Sequence, residues 1–295
     1  MPRSLYQDAT DRILVHLNSG KLPWIKPWRA TAGRNQPHNA VTRRPYSGAN
    51  VVMLWLNSGR FTVPAYLTYK QAKELGGHVR KGEHGTEVYF VKQCLTKPQA
   101  DDSDGDSVRG YTVLRSYTVF NVEQCNDLPE RITEQEAPKP RHGDERDATV
   151  DEFIKATGCN FKEVNGDRAF YNHGLDFVNV PPFESFRSAS AFYATSFHEL
   201  GHWTGHEKRL AREFGKRFGD LAYAAEELVA ELTSAFLCAE FSIDGEDRHA
   251  AAYIQDWIRL FKHDPKAFFT AASKAQAAAD YMRGKALADD TKQAA

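Results

Sequence analysis

The chain has 295 residues, 41% hydrophobic and 26% charged, which is long enough for two globular domains and too polar for a membrane protein. No apolar run approaches the roughly 20 residues that span a bilayer. The opening MPRSLYQDATDRILVHL lacks the apolar core of a signal peptide, so a cytoplasmic protein is expected. The net charge of −1 conceals an asymmetry: positions 1–98 hold 15 Lys/Arg against 5 Asp/Glu, and the remainder 23 against 34. A basic front half attracts polyanions whatever their sequence, which suggests a polyanion-binding module joined to a second, acidic unit. Cys94, Cys125, Cys159 and Cys238 lie far apart without a C-x-x-C pair, which argues against a thiolate zinc ribbon and a disulfide-stapled fold.

Along the chain, SLYQDATDRILVHLN (4–18) places Leu5, Ile13, Leu14 and Leu17 on one helical side, with a break at Ser19-Gly20. Proline spacing forbids a continuous helix over 21–48, which reads as an ordered loop or an arm. The run ANVVMLWL (49–56) is a buried helix or strand, and TYKQAKELGG is a short helix ended by Gly76-Gly77. TEVYFVKQCL (86–95) and RSYTVFNVEQC (115–125) read as strands joined by an acidic, exposed loop. Residues 127–147 are charged and proline-bearing, and the linker is set at 131–147 between a basic domain at 1–130 and a second domain at 148–287. In the second domain VDEFIKATG is a short helix, and 161–182 looks like a small meander with turns at Asn165-Gly166 and His173-Gly174. The rest is mainly helical to about Gly284, and the tail at 288–295 is expected to fray.

The segment SFHELGHWTGHEKRL contains His198-Glu199-Leu200-Gly201-His202. On a helix, positions i and i+4 lie about 40° and one turn apart, so both imidazoles converge on one ion at about 2.0–2.1 Å. Glu199 projects about 100° around from His198, where it can take a proton from a water activated by the ion without ligating it. A catalytic zinc takes three protein ligands and leaves a position for water. The metzincin third histidine is missing, because Lys208 holds its place, and His206 is too far along a continuous helix unless that helix stops at Gly205. The better source is LAYAAEELVAELTSAFLCAEF, a helix with Leu228, Leu232, Ala235 and Phe236 on its apolar face. Its Glu227 and Glu231 stand at i and i+4, so one can bind zinc while the other receives the outer ring N–H of a ligand histidine. That pattern resembles the E-x-x-(A/S)-(D/N/E) element of the gluzincins, with Glu227 as ligand, Ala230 as the small residue and Glu231 as the histidine's partner; Glu226 is the alternative ligand. Tyr223 could stabilise an oxyanion or merely pack. DFVNVPP (176–182) could be an edge strand that pairs with an extended peptide, or a core strand.

In the front half, aromatic and basic residues interleave: Trp24, Lys26, Trp28, Arg29, Arg43, Arg44, Tyr46, Lys70, Arg80 and Lys81. Rings beside phosphate-attracting cations are what a single-strand binder needs, although such rings are more often core. Taken in order, LYQDATDRILVHLNSGKLPWIKPW, RPYSGANVVMLW, YKQAKELGGHVRKGEHGTEVYF, SFHELGHWTGHEKRL and YAAEELVAEL resemble the ArdC antirestriction proteins of conjugative plasmids, related to TraC-type primase amino-terminal regions. The resemblance covers nearly the whole chain. It implies an α+β protein with an amino-terminal domain binding single-stranded DNA and a zincin-like metallopeptidase domain holding one Zn2+ per chain. It also implies protection of incoming plasmid DNA from restriction, with a restriction enzyme as a conceivable protein substrate. The metal motif transfers as His198, Glu199, His202 and Glu227. Two rival readings are a non-enzymatic DNA-binding shield in which zinc only staples the second domain, and an accessory of plasmid replication or priming.

Overall fold

The computed structural model describes residues 4–25, 36–95, 110–133, 145–244 and 252–293. Helix α1 (Leu5–Asn18) buries Ile13, Leu14 and Leu17 along one side, as the spacing predicts. The run that periodicity leaves undecided is a helix, α2 (Ala49–Leu56), with five consecutive buried residues from Val51 to Trp55. A helix apolar all round has to be enclosed on every side. Asn50 ties α2 to the neighbouring sheet by donating to the Tyr89 carbonyl at 2.8 Å and accepting from the Tyr89 N–H at 2.7 Å.

That sheet contains β1 (His38–Asn39), β2 (Ala65–Thr68), β4 (Thr86–Leu95) and β5 (Gly110–Asn121) in the order β1-β2-β5-β4. β4 and β5 form one antiparallel hairpin, registered from Thr86 opposite Val119 to Leu95 opposite Gly110. α3 (Tyr69–Glu74) starts with a capping box in which Thr68 accepts from the Gln71 N–H. β3 (His78–Val79) pairs with β6 (Cys125–Asn126). α4 (Glu130–Thr133) is a single turn whose Ile132 is buried in a small cluster with Leu67 and Val122, so the start of the expected linker is packed; residues 134–144 of it lie outside the described residues.

Past the linker, α5 (Ala148–Ala156) is capped by Asp147, which accepts from the N–H groups of Thr149 and Val150. The sheet of β7 (Asn160–Glu163), β8 (Phe170–Asn172) and β9 (Phe177–Val180) is not a meander: its order is β7-β9-β8, with β7 and β9 parallel. β9 is therefore the central strand, which decides for the core-strand alternative over a peptide-accepting edge. Helices α6 (Ala189–Thr204), α7 (Gly215–Phe218), α8 (Ala222–Glu240), α9 (Ile254–His263) and α10 (Ala267–Gln293) complete the chain. α10 runs through Gly284 to Gln293.

The largest core includes side chains of α1, α2 and the first sheet together with α8, α9 and α10. Trp24, only 2% exposed, stands edge-on to Trp257 of α9 with ring centroids 5.2 Å apart, and Trp55 of α2 meets Phe236 of α8 at 6.1 Å. A second core packs α5 and the β7-β9-β8 sheet against α6 and α10. No helix among the described residues is long and apolar enough to cross a membrane.

Candidate metal centre

α6 begins where Ser188 accepts a hydrogen bond from the Ala191 N–H at 3.0 Å, and it ends at Gly205. It lies against α8 at a point of close approach: a Cβ on Gly201 would stand 3.0 Å from the Ala230 Cα and 3.4 Å from the Thr233 Cβ. Two small residues facing each other let the helix axes come together, and this brings the His198/His202 side of α6 onto the Glu227 side of α8.

The Nε2 atoms of His198 and His202 are 3.2 Å apart. Glu227 reaches both, Oε2 standing 3.5 Å from His198 Nε2 and Oε1 3.6 Å from His202 Nε2. Among the described residues, this trio is the one group of three His, Cys, Asp or Glu donors close enough to hold an ion. Donors held about 2.0–2.2 Å from one zinc-sized ion at tetrahedral angles stand about 3.3–3.5 Å from one another, so the three separations fit one divalent cation.

The far side of each imidazole faces a carboxylate. His198 Nδ1 stands 3.2 Å from Glu231 Oε1, and His202 Nδ1 stands 3.3 Å from Glu226 Oε1. A carboxylate at Nδ1 holds the proton on that nitrogen and leaves Nε2 as a lone pair directed at the ion. Glu226 is therefore placed behind His202, and Glu227 is the α8 carboxylate in the donor trio. Burial pushes the Glu227 carboxyl up, but the His198 and His202 imidazoles beside it bring it below the usual range. Glu226 behaves likewise, with His202 and Arg212 outweighing burial.

Arg212 was not singled out from the sequence. Its buried guanidinium donates to Glu226 at 2.5 and 3.0 Å, to the Gly201 carbonyl at 2.6 Å and to Thr204 Oγ1 at 2.6 Å. It thus fixes Glu226 against His202 and caps the end of α6. A Cβ on Gly205 would lie 2.6 Å from an Arg212 nitrogen, so the glycine makes room for this arrangement.

Glu199 is buried next to His198 in the chain, and its carboxylate makes no hydrogen bond with a described residue. Tyr223, 64% exposed, has its hydroxyl 3.2 Å from that of Tyr253 and interacts with Glu227; the Tyr253 hydrogen bond and burial raise its pKa. α6 does stop before His206, yet that ring is not among the three donors: it stacks on His173 at 4.7 Å, and its Nδ1 accepts from the Lys208 N–H at 3.1 Å.

The residues singled out for nucleic acid do not form one set. Lys26, Trp28 and Arg29 lie outside the described residues. Trp24 and Tyr46 are buried core rings and offer no face to a base, which corrects their reading as platforms. Lys70 pairs with Glu74 at 3.6 Å, Arg80 pairs with Glu83 at 2.8 Å, and Arg43 donates to the Arg131 carbonyl at 3.2 Å. Arg44 and Lys81 are exposed.

Residues 3–120 match the N-terminal domain of anti-restriction factor ArdC, and residues 148–274 match a zincin-like metallopeptidase domain. Among curated proteins, the chain is 34% identical over 294 residues to the uncharacterised protein y4eC of Sinorhizobium fredii, covering 96% of this chain and 93% of that one. It is also 33% and 34% identical to two Escherichia coli DNA primases named TraC, but it spans only 27% and 20% of their lengths. Among solved structures, the metal-free antirestriction ArdC protein from plasmid R388 superposes with a TM-score of 0.83 at 38% identity, over 97% of this chain and 98% of that one. The Mn(II)-bound form of the R388 protein gives a TM-score of 0.77 at the same identity, over 96% and 98%. With identity and fold agreeing over almost all of both chains, and with both domain matches in order, the chain belongs to the ArdC antirestriction family.

Proposed function

We propose that the chain is a cytoplasmic antirestriction protein that binds single-stranded DNA through its basic front half and carries a zinc peptidase site at His198, His202 and Glu227. The donor spacing of 3.2–3.6 Å around one point carries the metal part of the reading. A divalent ion held there supplies Lewis-acid polarisation of a carbonyl and a more acidic water. Glu199, with no hydrogen bond to a described residue, is the proton acceptor and later returns the proton to the leaving amine. Tyr223, hydrogen-bonded to Tyr253 and exposed on the Glu227 side, supplies an O–H to a developing oxyanion. The charge excess of the front half supports DNA binding, and a restriction enzyme is the protein substrate that suits the family.

Glu199→Gln should keep one metal per chain by elemental analysis and lose peptide hydrolysis. An unchanged proteolytic rate removes Glu199 from the chemistry. A second reading is supported by the way the trio ties α6 to α8: an ion there would also staple the domain, and protection would come from DNA occupancy alone. Under that reading Glu199→Gln leaves antirestriction in a conjugation assay intact.

A further inference from the structure

Strand alternation along the β4–β5 hairpin puts Val88, Phe90 and Lys92 on one face, opposite Tyr117, Arg115 and Val113 respectively. Val88 is sealed in the core, but farther along this face turns to solvent. There Phe90 is 44% exposed and Tyr117 41% exposed, with ring centroids 5.8 Å apart and planes tilted by 56°. Each ring thus keeps a large part of its surface open to solvent. Arg115 and Lys92 flank it, exposed and without a hydrogen bond or ion pair to any described residue. The acidic residue of β4, Glu87, belongs to the opposite face, where Arg12 of α1 binds it at 2.8 Å. The platform is also backed: Tyr46 lies beside Tyr117 and stands edge-on to Tyr66 at 6.5 Å. Two exposed rings on paired strands with two free cations and no carboxylate on the same strand faces match a chain of unpaired bases on a phosphate backbone, since each base offers a π-face and each phosphate a charge.

We propose that the Phe90–Tyr117 pair is the base-stacking platform for single-stranded DNA, with Arg115 and Lys92 as its phosphate contacts. This rests on the single-strand-binding reading above and assigns that binding to strand residues rather than to the proline-rich segment.

The test uses the full chain and a fluorescein-labelled oligothymidylate of about 20 nucleotides, with anisotropy read across a salt series. Phe90→Leu and Tyr117→Leu, which keep apolar bulk without an aromatic face, should each weaken binding about 5- to 150-fold, while Tyr117→Phe stays near wild type. Arg115→Ala should flatten the slope of log affinity against log salt by about 0.7. Thermal unfolding and metal content serve as folding controls. Wild-type affinity in Phe90→Leu and Tyr117→Leu, with wild type binding well, overturns the assignment and leaves single-strand binding standing. Equal loss of duplex binding in those variants also overturns it, because stacked bases in a duplex offer no faces. Wild type that fails to bind the oligonucleotide overturns both readings.

Discussion

Gly201→Ala tests whether the close approach of α6 and α8 sets the metal site. The added methyl would meet the Ala230 Cα at 3.0 Å and the Ala230 carbonyl oxygen at 3.4 Å, inside the roughly 3.5–4.0 Å at which carbon contacts are favourable. Those are backbone atoms and cannot rotate away, so the helices must part by about 0.5 Å. Alanine gains about 0.8–1.0 kcal/mol over glycine inside a helix. Overpacking of this kind costs about 1–3 kcal/mol, so the net effect is a loss of up to about 2 kcal/mol. Parting the helices also draws Glu227 from the two histidines by about the same half ångström, beyond the roughly 0.2 Å tolerance of a metal bond. Zinc affinity should therefore fall about 10-fold or more, measured by competition with a chromophoric chelator, while thermal unfolding of the metal-free protein shows a loss of no more than about 2 kcal/mol. A variant that gains the full helix-propensity stabilisation and binds zinc as wild type does would refute the claim that this contact sets the donor spacing.

Two further predictions concern residues around the centre. Arg212→Ala strands Glu226 without its guanidinium and should cost about 3–5 kcal/mol in thermal unfolding. It should also weaken metal binding about 10- to 100-fold by calorimetric titration, and unaltered affinity would exclude Arg212 from orienting His202. Asp176 is held down to about 2 by its hydrogen bonds from Arg209, with burial opposing. Because its folded pKa lies below the ordinary 3.8, its contribution is complete above pH 3.8 and lost as pH falls through about 2. It amounts to at most about 2 kcal/mol, less where solvent screens the carboxylate. Asp176→Asn suits the positive φ of 51° at this position and should lower stability at neutral pH. It should also flatten the acid limb of a denaturation profile below pH 3.8, and an unchanged limb would assign that limb to other carboxylates.

The donor pair on α6 is legible in the sequence because its geometry is local: four residues on a helix fix both imidazoles. The glutamate is less so, since Glu226 and Glu227 differ by about 100° around α8 and only the packing of Gly201 on Ala230 decides which one faces the histidines. Arg212 carries no local signal, because it lies in an irregular stretch and meets Glu226 only after the chain has turned. Tertiary context also decides the fate of the aromatic rings. Trp24 sits among lysines and prolines in the sequence, yet its ring is drawn into the core against Trp257, whereas Phe90 and Tyr117 look like ordinary strand residues and face solvent. Interleaving of basic and aromatic residues along the chain therefore does not say which rings reach solvent. The parallel pairing of β7 with β9 was hidden for a related reason: three short strands in sequence look like a meander unless the crossover between them is seen.

α8 packs the two matched segments against each other. Its Glu227, Ala230 and Glu231 face α6, and Ser234 bonds the Ala194 carbonyl of α6 at 2.8 Å. Its Leu228, Leu232 and Phe236 belong to the core shared with α1 and α2, and the Ala224 carbonyl accepts from the Trp257 indole at 2.9 Å. Each such Leu or Phe contributes about 1.5–3 kcal/mol when covered, so uncovering three of them forfeits roughly 5 kcal/mol or more, a large part of the stability of a domain. The helix that presents Glu227 is thus seated by the front segment on one side and by the metal-site helix on the other. The boundary drawn by composition near residue 130 follows a charged, proline-bearing stretch of the chain, while the packing runs across it.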